Sequence, residues 1–194
     1  MAEGGLAPHQ KKARKLGASI VFIDESGFRL QPVNRRTWAP IGQTPVQRAW
    51  DRYDRLSVIG AVVVSPSRTR MDTPFEIREE NVRTPQVVAF IQQLRKQFRR
   101  PLIICWDRWS VHRSAAKKIA GTRMKNIYFE FLPAYAPELN PVEASWSHAK
   151  YALLANFVPD DVPHLKRHVR SSLKKHRSNH PLKQSFFKTA RLKL

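Results

Sequence analysis

A chain of 194 residues, 42% of them apolar and including five Trp and ten Phe, is long enough for one domain with a real core and is not disordered by composition. It has no run of eighteen or more apolar residues, so no membrane-spanning helix is expected, residues 1–16 hold no apolar stretch of signal type, and its single cysteine, Cys105, excludes an internal disulfide framework and fits a reducing cytoplasm. Lys and Arg outnumber Asp and Glu by 35 to 15, a net charge of +20; a chain this basic repels itself unless a polyanion neutralises it, and nucleic acid is the polyanion this favours.

Residues 1–17 read as a basic, poorly ordered lead-in. Residues 19–23 (SIVFI) read as a buried strand that ends in the turn-forming run DESG. A second strand is expected at 36–39, a long one at 56–64 (LSVIGAVVV) and a shorter one at 73–78. Thr84 and Pro85 open a helix whose apolar residues, Val87 to Phe98, recur at helical spacing. Residues 101–106 form another buried strand, 114–120 a short helix and 126–132 a further strand; a Pro-rich loop then leads into a helix from Pro141 to about residue 155. From Pro163 onward the chain reads as a basic amphipathic helix, with Val162, Leu165, Val169 and Leu173 as its apolar stripe, and then a loose basic end. Strands followed by alternating strands and helices point to a mixed α/β sheet with helices on its faces. The organisation expected is a lead-in over 1–17, a catalytic body over 18–158, and a basic C-terminal helix and tail over 159–194.

Acidic residues are scarce, so their placement is informative. Asp24 follows the apolar run SIVFI, and Asp107 follows LIICW; strand ends of this kind open onto the crevice where α/β sheets bind ligands. Glu143 falls in the first turn of the helix led by Asn140-Pro141. Taken singly, an Asp after a strand is often only a turn residue, and a Glu in a first turn a dipole partner. Together the three can converge, and three ionised carboxylates need a counter-charge. Hard divalent cations such as Mg²⁺ supply one, and a pair of them suits phosphodiester cleavage.

Three segments carry a resemblance to a known family. They are IVFIDESGFRLQPVNRRTWAPIGQTPV (20–46), CWDRWSVHRS (105–114) and FLPAYAPELNPVEASWSHAK (131–150), with Glu143 lying 36 positions after Asp107. Over roughly residues 18–187 the chain resembles the DDE endonuclease domain of bacterial insertion-sequence transposases of the mariner-like superfamily. The resemblance implies an RNase H-like fold, a mixed five-stranded sheet flanked by helices. It implies two Mg²⁺ ions, replaceable by Mn²⁺, on Asp24, Asp107 and Glu143. It implies cleavage at transposon ends and attack of the freed 3′-hydroxyl on target DNA, in a homo-oligomer at the bacterial nucleoid in the cytoplasm. The first catalytic strand begins only about eighteen residues into the chain, so the helix-turn-helix region that reads transposon ends is expected as a separate region or polypeptide. The rival readings are a non-catalytic DNA-binding remnant and a generic RNase H-like nuclease.

Around the acids, Arg35, Arg36, Arg108 and Arg113 are candidate phosphate ligands, against a merely solvated basic face. Trp109, beside Asp107, is the candidate for stacking on an unpaired base, whereas Trp106 reads as core. Lys166, Arg170 and Lys174 on the C-terminal helix are candidate DNA contacts. His112 and Asn140 are candidates to support the acids. Glu25 points away from Asp24 if the strand continues, and Glu138 in the Pro-rich loop is solvated or orients a water.

Overall fold

The computed structural model of the protein describes residues 7–49, 53–134, 136–190 and 192, the first four of these as backbone only. Its sheet is built on β1 (Ser19–Arg29), which pairs antiparallel with β2 (Arg55–Val64) from Ile20↔Val64 to Arg29↔Arg55. On its other side β1 pairs in parallel with β5 (Leu102–Trp106), and β5 with β6 (Ile127–Phe131). The outer side of β2 carries two short strands, β3 (Met71–Asp72) and β4 (Phe75–Arg78). The sheet therefore has six strands rather than five, but β3 and β4 share one lane. The break between them falls at Pro74, which has no N–H to give to the ladder; its carbonyl still accepts from Ala61 N at 2.9 Å.

Because successive residues of a strand face opposite ways, β1 feeds two cores. Phe22 points into a cluster with Val62, Ile103, Leu165, Val169 and Phe187, and Val21 and Ile23 into one with Val87, Phe90, Ile91, Ile104 and Ile119. The first is covered by α1 (Ala7–Leu16), α4 (Pro141–His148), α5 (Val162–Ser178) and α6 (His180–Thr189), the second by α2 (Thr84–Gln97) and α3 (Ser110–Ala120). Burial on both faces explains why the central strands read as unbroken apolar runs.

Several expectations are corrected. β1 does not end at Asp24 but runs through DESG, because every residue from Ile20 to Arg29 has a partner on β2, and ladder pairing outweighs local turn preference. Residues 36–39 form no strand; the arm over 34–49 is exposed, with Trp38 fully so. The lead-in is helical over Ala7–Leu16, with Ala13 buried and Gly17 closing the helix at φ +58°; residues 1–6 of that expectation lie outside the described residues. α3 begins at Ser110, and the helix after Pro141 ends at His148 and widens into a π turn, Ala149–Leu153. The loose basic end is α6, capped by Asn179 Oδ1 accepting from Leu182 N at 3.0 Å and anchored by Phe187 edge-on to Phe22 at 5.8 Å. Among the described residues no helix is long and apolar enough to cross a membrane.

Candidate active site

The parallel register Phe22↔Cys105 sets the levels of β1 and β5. Asp24 lies two residues past Phe22 and Asp107 two past Cys105, so both aspartates come to the same end of the sheet. Asn140 brings the third acid there. Its Nδ2 donates to the carbonyl of Ile23 at 3.2 Å, and its Oδ1 accepts from Val142 N at 3.2 Å. One buried side chain thus caps α4 and ties its first turn, with Glu143, to the strand carrying Asp24.

Asp24 is held from the α4 side by Trp146, whose Nε1 donates to Oδ2 at 3.0 Å. The indole fits because its neighbour on β2 is glycine. Gly60 pairs with Asp24, and a Cβ at Gly60 would stand 2.6 Å from Trp146 Cη2. Gly60→Ala is therefore expected to push the ring off Asp24, cost about 1–3 kcal/mol in a packed core and lower any activity that depends on Asp24. Denaturant melts check this, and adding Trp146→Phe, which removes the clashing atoms, should restore part of the stability. A melt of Gly60→Ala that overlays wild type would show that this contact does not hold Trp146 in place.

The electrostatics divide the acids. Burial pushes the Asp24 carboxyl well above its usual range, and the charges of Glu143 and Glu25 push the same way. Burial also raises Glu143; Lys150 opposes this and Asp107 adds to it. Lys150, on the π turn, is itself held down by burial while Glu143 and Asp24 draw it up. Asp107 behaves oppositely. Its bond from His112 outweighs burial and holds its carboxyl below the usual range. Oδ1 of Asp107 accepts from His112 Nδ1 at 2.6 Å and from the backbone N of Trp109 at 2.9 Å.

His112 is 1% exposed and stacks on Trp106 at 4.6 Å. Its Nε2 lies 3.0 Å from Glu25 Oε2. Burial alone would lower its pKa, but the bonds to Asp107 and Glu25 outweigh it and bring the ring to about 9. With a carboxylate at each nitrogen, the ring is an imidazolium donating twice. Glu25 thus faces away from Asp24, as strand alternation expects, and its partner there is the histidine that pins Asp107. The sequence marks His112 as a support for the acids, but it gives no sign of Glu25 as the second partner, nor of the Trp146–Asp24 bond or the placing of Lys150.

Among the described residues no group of three His, Cys, Asp or Glu side chains stands ready to hold a metal ion. The chemistry of the donors nevertheless fits a hard cation. They are carboxylate oxygens; burial first raises Asp24 and Glu143, with Glu143 adding to the first and Asp107 to the second, and added positive charge would favour the ionised forms.

The remaining candidates are spread more widely over the surface. Arg108, Trp109 (41% exposed) and Arg113 lie exposed beside Asp107. Arg35 and Arg36 sit on the exposed arm, where Arg35 N donates to Asn156 Oδ1 at 2.7 Å and its guanidinium lies 6.0 Å from the Tyr151 ring. Lys166 is paired with Glu79 at 2.7 Å, and Arg170 and Lys174 are exposed on α5. Trp106 and Trp146 are core. Glu138 is exposed and lines, with Glu143 and residues of α6, a groove of about 570 Å³.

The family profile of the DDE superfamily endonucleases matches residues 19–166. No curated protein matches the chain. Among solved structures it is similar to the Mos1 mariner paired end complex with Mn, at a TM-score of 0.58 and 19% identity over 96% of this chain and 58% of that chain. It is likewise similar to the Mos1 strand transfer complex, at a TM-score of 0.57 and 19% identity over 95% of this chain and 58% of that one. The likeness establishes a shared RNase H-like fold, and the chain spans 58% of the length of these solved chains. The profile match takes in most of the chain and all three acids at the end of the sheet, and on that ground the chain belongs to the DDE superfamily endonucleases.

Proposed function

We propose that the chain is the catalytic unit of a DNA transposase, cutting at transposon ends and joining the freed 3′-hydroxyl to target DNA. The observation that carries this is the gathering of Asp24, Asp107 and Glu143, from two strands and a helix remote in sequence, at one end of an RNase H-like sheet. Asp24, Asp107 and Glu143 are the residues that would hold two Mg²⁺ ions, or Mn²⁺ in their place. Bound there, such ions supply an activated water and charge neutralisation at the phosphate. The chain's own residues do the rest. His112 holds Asp107 ionised and oriented, Trp146 orients Asp24, and Asn140 sets the helix that presents Glu143. Arg108 and Arg113 would bind phosphates beside the acids, with Trp109 available to stack on a base; Arg35, Arg36, Lys166, Arg170 and Lys174 would extend the contact. The partners proposed are double-stranded DNA of the ends and target, a second copy of the chain, and a helix-turn-helix region that reads the ends. Residues 18–158 form the catalytic body and 159–194 its basic C-terminal part.

The test is incubation of the purified chain with labelled supercoiled and linear DNA, with Mg²⁺, with Mn²⁺ and with EDTA. Nicking or joining is expected with either metal, none with EDTA, and none from an Asp24→Asn/Asp107→Asn variant. Cutting that persists in EDTA or in that variant would overturn the assignment of the acids. Salt-sensitive binding without any cutting would favour the non-catalytic reading.

A further inference from the structure

We propose that the end of the sheet remote from the acids is a second DNA-binding surface, taking the backbone phosphates of a duplex segment separate from the one at Asp24 and Asp107. This rests on the reading that the chain handles DNA. The parallel strands β1, β5 and β6 all start at that end, and β2, antiparallel to β1, finishes there. Four segments meet at it: 14–18 before β1, 65–70 after β2, 98–101 before β5 and 121–126 before β6. Between them they hold eight Lys and Arg and no Asp or Glu. A +20 chain scatters cations widely, but four segments from remote parts of the sequence, converging with no acid among them, make a concentrated positive field.

Within this end lies a groove of about 600 Å³ whose lining includes Arg70, Arg99, Arg100 and His180 with Ser65 and Thr69. Its one carboxylate, Asp72, is already engaged. Arg177 donates to it from Nε at 2.7 Å and Nη2 at 2.8 Å, and Gln97 Nε2 adds a bond at 3.0 Å. Among the described residues no carboxylate pairs with the side chains of Arg70, Arg99 or Arg100. Free guanidinium forks beside hydroxyls are the donor set that positions a phosphate backbone.

Ser19 marks this end of β1 and lies five residues before Asp24, so the two ends are about 17 Å apart at ~3.3 Å per residue. They face opposite ways along the strands. A straight duplex laid across one end does not lie across the other, and DNA, stiff over ~150 bp, bends around so short a span only at a high cost. The second end therefore takes a second segment.

The test uses the full chain carrying Asp107→Asn, so that binding is read without cutting, and a fluorescent duplex of about 12 bp, roughly one helical turn. Anisotropy is followed between about 50 and 200 mM NaCl, and stoichiometry at saturation. Arg70→Ala/Arg99→Ala/Arg100→Ala is expected to weaken binding roughly 10- to 100-fold at the remote site and to make the salt slope shallower by about 3. Stoichiometry should fall from two duplexes per chain to one. Arg70→Lys/Arg99→Lys/Arg100→Lys should restore both, which a merely structural role would not predict. An alanine variant that matches the parent in affinity, slope and stoichiometry overturns the inference. Failure of the wild-type chain to cut DNA with metal would overturn the catalytic reading instead, and leaves this binding result untouched.

Discussion

Asp24→Asn should melt higher than wild type at pH 7 and lose DNA cutting. The carboxyl is raised first by burial and then by Glu143 and Glu25, so its ionised form is disfavoured in the folded chain. For a carboxylate whose folded pKa lies above its unfolded value of 3.8, the penalty is absent below that value and grows as pH rises through the folded pKa. Asn carries no charge, and its Oδ1 can still accept from Trp146 Nε1. The expected gain is about 1 kcal/mol, a Tm rise of ~2–4 °C for a domain of this size, vanishing near pH 4. Cutting should fall roughly 10³-fold or more, because a neutral amide is a poor metal ligand and leaves the charge on the phosphate unmatched. Thermal melts at pH 7 and pH 4, run beside a nicking assay, check both halves. A stabilised variant that cuts at the wild-type rate would reduce Asp24 to a strained strand residue.

That coupling of strain and chemistry also explains what could be read from sequence. The runs that became β2 and β5 carry their burial in composition, α2 and α5 declare themselves by helical spacing and α4 by its Asn140-Pro141 start, while Thr84 proves to be the first residue of α2 and Arg83 its N-cap. The three acids are legible because Asp24 and Asp107 each follow a buried apolar run and Glu143 falls in a helix first turn, although Asp24 lies within β1 and not at its end. The continuation of β1 through DESG is not, since its partners come from β2, supplied by the tertiary fold. α6 is hidden by its Lys and His residues, although Asn179 before Pro181 is a start signal and Phe186-Phe187 an anchor. Of the supports of the acids, His112 and Asn140 are legible, but Glu25 as the partner of His112 and Trp146 as the partner of Asp24 are not. Glu25 and His112 lie 87 positions apart, and Asp24 and Trp146 122 apart. Alternation says only that Glu25 faces away from Asp24, not what waits there. The π turn that places Lys150 follows no local sequence rule, and turns of this kind are often found at functional sites.

The helix carrying Glu143 is also moored at its back, and the mooring should make the protein sensitive to acid. His176 of α5 is 1% exposed. Its Nδ1 lies 2.8 Å from Ser145 Oγ and its Nε2 3.0 Å from His148 Nδ1, with the Phe186 ring 5.3 Å away. Burial, helped by His148, drives its pKa from 6.5 to about 4, and burial lowers His148 as well. A histidine whose folded pKa is depressed is bound neutral. Its contribution is complete above pH 6.5 and is lost as pH falls from there toward 4, where the folded form also takes up the proton. At 1.36 kcal/mol per unit the loss is about 3 kcal/mol, a large share of the ~5–15 kcal/mol that holds a domain together. Urea melts across this window should show stability falling steeply between pH 6.5 and 4. His176→Gln, which keeps a polar partner for Ser145 but does not titrate, should lower stability at pH 7 and flatten the dependence. Because Ser145 and His148 flank Trp146 on α4, the proton that loosens His176 also loosens the helix that positions both Trp146 and Glu143. An equally steep profile in the glutamine variant would place the acid sensitivity elsewhere in the chain.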